Sequence, residues 1–189
     1  MRRRLSLPSL ALAALAFGAA IAVIKGQDVG FRDALGNMSA PWVLVPFVAG
    51  MRARGLWRGA LLGLAVTLLA LLGFYVAEAA VLDLGSHPWW VDLQLTVKWN
   101  LYDSWGIVSG LLYGSLGALW SARRSLVASV AVGVAFVGEP VVAFLLAHAG
   151  IWDAELLHYT WLWVAEVIAG TAAVACALTL RQPHTRRTI

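Results

Sequence analysis

Charge is scarce in this chain. Of its 189 residues 13% are Asp, Glu, Lys or Arg, while 61% are hydrophobic, a balance too far from that of water-soluble domains for an ordinary globular core. A single cysteine, Cys176, excludes an intrachain disulfide and reads as a small buried residue. His87, His148, His158 and His184 show no metal-ligand spacing. No Walker loop, dinucleotide fingerprint or paired His/Glu zinc motif occurs. Cofactors and metals are therefore not expected, and a non-enzyme is. No long linker, low-complexity tract or charge block divides the chain, so residues 1–189 read as one integral membrane domain.

What the chain has instead is long apolar runs. About 18 or more apolar residues are needed to cross a bilayer core of about 30 Å. Six segments approach that length with few or no charges: 7–24, 35–51, 59–81, 104–121, 126–149 and 160–180. The expected fold class is all-α, a polytopic bundle of six transmembrane helices. The second segment is interrupted by Asn37, Ser39, Pro41 and Pro46, a pattern that also suits a re-entrant or broken helix. The first, after "MRRR", has the layout of a secretory signal, and is read as a retained signal-anchor helix.

Acidic residues are missing from one side. If six helices alternate, Arg2 to Arg4, Arg52, Arg54, Arg58, Arg123, Arg124, Arg181, Arg186 and Arg187 share a face, leaving Lys25, Arg32 and Lys98 opposite. That asymmetry makes the arginine face cytoplasmic, with both termini on it. All ten acids lie in the membrane or beyond it: Asp28, Asp33, Glu78, Asp83, Asp92, Asp103, Glu139, Asp153, Glu155 and Glu166. The net charge of +4 is then explained by topology and anionic lipid headgroups, with no nucleic acid partner. The expected location is the cytoplasmic membrane of a bacterium, as a multi-pass protein.

Outside the membrane, residues 86–105 place Asp92, Thr96, Asn100 and Asp103 on one side and Trp90, Leu93, Val97 and Leu101 on the other. That pattern predicts an outer amphipathic helix between the third and fourth spans. Small residues at four-residue spacing mark close helix packing. They recur as Ala14, Gly18, Ala22 and Gly26, as Gly55, Gly59 and Gly63, and as Gly106, Gly110 and Gly114.

At the helical period the third span carries Thr67, Leu71, Tyr75 and Glu78 on one stripe. The fourth carries Tyr102, Trp105, Ser109 and Tyr113, on a different face from its glycines, and the sixth carries Tyr159, Trp163, Glu166 and Gly170. Eight of ten tryptophans fall toward the outer side. Two readings are open: an interfacial aromatic belt over a packed cap, or an outward cavity of rings and carboxylates that attracts a cation. Glu139, in "AFVGEPVVAF", lies about 20 Å into the fifth span beside Pro140, with no basic residue in that run. Such an acid is either a protonated packing element bonded across the bundle or the partner of a cation from outside. The candidate ligand-binding residues are Glu139, Glu166, Trp163, Tyr159, Tyr102, Trp105, Tyr113, Tyr75 and Glu78.

The stretch "GNMSAPWVLVPFVAG", followed by arginines and "GALLGLAVTLLALLGFY", resembles small six-helix membrane proteins of unknown function that are common in actinobacteria. The resemblance implies membrane location and fold, and names no activity. In size, helix number and the small residues on its first helix the chain is also loosely similar to the substrate-binding subunits of energy-coupling factor vitamin transporters, although no substrate motif matches, and that resemblance implies contact with a transmembrane partner through Ala14, Gly18 and Ala22. "GIVSG", "GSLG" and "AHAG" are only faintly similar to a rhomboid-type serine and histidine pair, since the serine motif differs and His148 sits near a helix end. The function expected is binding or transport of a small cationic or aromatic solute from the outer face, or, alternatively, a non-catalytic role in membrane assembly. The bilayer is a partner under either reading.

Overall fold

A computed structural model describes residues 6–26, 30–82, 88–91, 93–94, 105–150 and 157–179. The regular elements among them are helices: α1 Leu7–Lys25, α2 Gly30–Gly36, α3 Ala40–Gly50, α4 Leu56–Leu82, α5 Trp105–Arg123, α6 Leu126–His148 and α7 Thr160–Thr179. Among the described residues three helices are long and apolar enough to cross a membrane, Leu7–Lys25, Leu56–Ala80 and Leu126–His148, and Thr160–Cys176 is a shorter apolar helix. Most of the amphipathic segment expected at 86–105 lies outside the described residues. So do the N-terminal arginines and the C-terminal tail.

Glycines decide which helices touch. α1 packs along α4, and a Cβ on Gly18 would run into the Ala70 carbonyl while one on Gly73 would run into that of Leu15. The ridge of Ala14, Gly18 and Ala22 is thus buried against a helix of the same chain rather than left for a partner. α4 packs on α5 through Gly59, Gly63, Gly110 and Gly114, and α3 reaches the same place, Gly50 lying against Gly114 and Gly117 against Phe47. Three helices therefore converge on Gly114. α6 and α7 form the remaining pair, with Gly133 and Gly170 facing each other 2.9 Å from built Cβ to carbonyl oxygen in both directions. With no hydrophobic drive between helices in lipid, this backbone proximity is what gains dispersion contacts.

The second apolar segment is broken. α2 ends where Asn37 N–H donates to Asp33 O at 2.9 Å, and the Asn37 amide donates to Asp33 Oδ1 at 2.8 Å. α3 restarts at Ala40 with a proline in its first turn and buries a second, Pro46. Proline is tolerated in a first turn, whereas Pro46 deprives the Trp42 carbonyl of its helical donor. Charged side chains close two helix ends around this break. Arg32 on α2 donates to Ile24 O at 2.9 Å and Val23 O at 2.6 Å, at the negative end of α1. The positive end of α3 is closed from α6.

Candidate functional site

Glu139 closes it. Both carboxylate oxygens accept backbone hydrogen bonds, Oε1 from Ser39 N–H and Oε2 from Ala40 N–H. Ser39 is a residue type favoured as an N-cap, yet its own side chain makes no capping bond. A side chain 99 and 100 residues away in sequence does that work. Pro140, directly after Glu139, leaves the Phe136 carbonyl without its helical partner.

Beside Glu139 stands Glu166 of α7, 3% exposed. Among the described residues no N–H or O–H donor reaches either of its carboxylate oxygens. The polar group facing it is the Glu139 carboxyl, and two carboxyls can bond only when one carries a proton. On the same helix Trp163, 9% exposed, joins Leu162, Ala34 of α2 and Ala143 of α6 in one apolar cluster, with Tyr159, Leu35 and Leu157 packed against it. Glu139, Glu166, Trp163 and Tyr159 are therefore gathered where α2, α3, α6 and α7 meet.

The other expected site residues fall elsewhere. Glu78 is buried and paired with Lys25 at the end of α1, Nζ to Oε1 2.8 Å, while its Oε2 meets no hydrogen-bond donor among the described residues. Lys25 also lies 5.9 Å from the centre of the Phe74 ring. Tyr75 packs its ring on Phe74, which in turn contacts Trp42, itself stacked edge-on with Phe17. Trp42 thus belongs to interhelical packing. Thr67 and Leu71, from the same stripe as Tyr75 and Glu78, face Gly110 and Gly106 and so abut the glycine ridge of α5. The Tyr113 hydroxyl lies 3.4 Å from Ala131 O on α6. Tyr102, together with the side chain of Trp105, lies outside the described residues.

Sequence reasoning missed Lys25, read as an outer loop charge, and it missed the Ser39 and Ala40 amides. The words Ser39-Ala40-Pro41 carried a signal for the latter, an N-cap type ahead of a first-turn proline. Nothing local announced that the cap would come from α6. α2 stands between the two polar centres, Gly36 against the Lys25 stem and Ala34 against the Trp163 cluster.

A family model described as a family of unknown function, DUF6518, matches residues 3–189, and the chain belongs to that family. No curated protein and no solved structure matches it.

Proposed function

From membership of a family of unknown function the activity must be argued from the chain's own residues, and we propose a six-span protein that binds a small solute entering from the outer face. The Glu139–Glu166 pair at the break between α2 and α3 is the centre of that site. The proposal extends to both termini in the cytoplasm and to the bacterial cytoplasmic membrane. Its support is the arginine asymmetry, the three long apolar helices, and residues 30–50, which would span about 30 Å if continuous.

One observation carries the functional part: a helix broken partway along an apolar segment, with its new N-terminus held by an acid and a second, donorless acid beside it. Irregular backbone at membrane depth is tolerated where it is buried in protein or lines a solute path, and discontinuous helices of this kind form ion and substrate sites. Ionisable groups in spans are costly and usually functional. A cationic solute has less to hold than the sequence suggested, because Glu78 is committed to Lys25 and Glu139 to two amides.

The burial of Trp163 and Glu166 favours a second reading, in which the acids only fasten helices together. A thermal-shift screen of small organic solutes on nanodisc-embedded protein at pH 6 and pH 8 separates the two. Solute binding predicts stabilisation by at least one chemical class, with a pH dependence that Glu166→Gln alters. An absence of any solute response, with native and Glu166→Gln proteins sharing one pH profile, would leave only the packing role.

A further inference from the structure

A groove of about 550 Å³ runs between α4 and α5. Leu56, Trp57 and Ala60 form one wall, and Val108, Leu112 and Ser115 the other. The short side chains of Ala60 and Ser115 keep it open, and the Ser115 hydroxyl turns back to donate to Leu111 O at 2.9 Å, so the lining is almost wholly apolar. Val108, Leu112 and Ser115 recur at i, i+4 and i+7, and the same stripe continues through Leu119 to Arg123. From Leu119 to Val108 it runs about 16 Å along the helix axis, about half of a bilayer core of about 30 Å. That is the depth of one leaflet's acyl chain.

Positive charge gathers at one end of this groove. Gly59 packs on Ala118, and five residues away on each chain, toward the same end, stand Arg54, just before α4, and Arg123, the last residue of α5, both exposed. The two arginines therefore flank the mouth beside Trp57, itself exposed. Residues 51–58 and 119–126 carry five arginines and no acid, and even the enclosed Nη1 of Arg52 meets no hydrogen-bond partner among the described residues. An apolar slot that ends in arginines without a carboxylate complements an acyl chain whose headgroup is an anion. Arginine forks match phosphate oxygens, and basic pockets between spans hold such headgroups. A second copy of the chain fits less well, because a two-fold contact here would set the same arginines of both copies at one level.

We propose that the α4–α5 groove binds one anionic diacyl phospholipid of the phosphatidylglycerol type, with an acyl chain between Ala60 and Ser115 and the phosphate between Arg54 and Arg123. The inference rests on α4 and α5 crossing the bilayer, part of the six-span reading above, and not on the solute site. The neighbouring arginines stand apart from the clamp. Arg58 lies on the far side of α4 from Leu56 and Ala60 by the helical period, and Arg124 stacks on Trp120, 4.1 Å from the ring centre. Arginines of equal charge at the same end of the bundle should therefore matter unequally.

Native mass spectrometry of the full-length protein in mild detergent, supplied with phosphatidylglycerol or with phosphatidylcholine of matched chains, reads the lipid retained. One phosphatidylglycerol should stay bound, and phosphatidylcholine should not. Arg54→Gln with Arg123→Gln should weaken retention by about thirtyfold, while Arg58→Gln with Arg124→Gln, an equal change of charge, should weaken it by less than about threefold. Ser115→Leu fills the groove at unchanged charge and should also displace the lipid. Circular dichroism checks each variant, and if Ser115→Leu does not fold, the two arginine pairs decide. Equal retention of the two lipids, equal losses from the two arginine pairs, undiminished retention by folded Ser115→Leu, or a dimer in place of the bound lipid overturns the site. Carbonate extraction of native membranes separates this inference from the reading beneath it. A protein released by carbonate sinks both, whereas one that stays in the membrane without a lipid preference sinks the lipid site alone.

Discussion

Replacing Glu139 by leucine removes the acceptor of two amides at once, and the structure sets the size of the effect. A hydrogen bond to an ionised group contributes about 1.5–3 kcal/mol, and a buried donor left without a partner costs about 1–3 kcal/mol. Ala40 is buried, so its N–H bears the full loss. Ser39 is exposed, so its N–H bears less of the loss. Removal of a half-buried carboxylate offsets part of this. The expected loss for Glu139→Leu is about 2–4 kcal/mol, and for Glu139→Gln, whose single amide oxygen can keep one of the two bonds, about 1–2 kcal/mol. Ser39→Ala is the decisive contrast. An N-cap serine normally contributes about 1 kcal/mol, but Ser39 makes no side-chain cap, so its replacement should cost less than about 0.5 kcal/mol. Equilibrium unfolding in mixed micelles, followed by circular dichroism at a fixed pH, measures all three. If Ser39→Ala proves costlier than Glu139→Leu, the cap is local and the account of Glu139 is wrong.

Gly114→Ala should destabilise by about 1–3 kcal/mol through overpacking, because its Cβ would lie 2.8 Å from Gly63 Cα with the Gly59 carbonyl closer still. Gly138→Ala, which meets nothing within 4 Å, should be neutral or stabilise by up to about 1 kcal/mol; the same unfolding assay ranks the two, and a reversed order refutes the packing. For the ion pair, with side chains 13% and 4% exposed, Lys25→Met should cost about 3–5 kcal/mol by stranding Glu78, and Lys25→Met with Glu78→Leu should recover most of it. A double variant as unstable as the single would mean that the pair is not the source of the loss.

The membrane class and the apolar helices were legible because both rest on local quantities, composition and run length. The break in the second segment was legible too, since Asn37, Ser39 and Pro41 act on the backbone beside them. So were the glycine ridges, which depend only on a four-residue spacing, except at Gly55, which precedes α4 and has no neighbour within 4 Å of the place a Cβ would take. What each acid does was not legible. By sequence Glu139 and Glu78 stand as unpaired carboxylates in apolar runs, and only the packing of α6 on α3 and of α1 on α4 brings them to amides and to Lys25. The stripe of Thr67, Leu71, Tyr75 and Glu78 was a true helix face, but period alone does not say whether a face meets a cavity, a glycine ridge or a lysine. A carboxylate's role is set by the partner within about 3 Å, and for Glu139 that partner lies 99 and 100 residues away, a distance that only the folded chain closes.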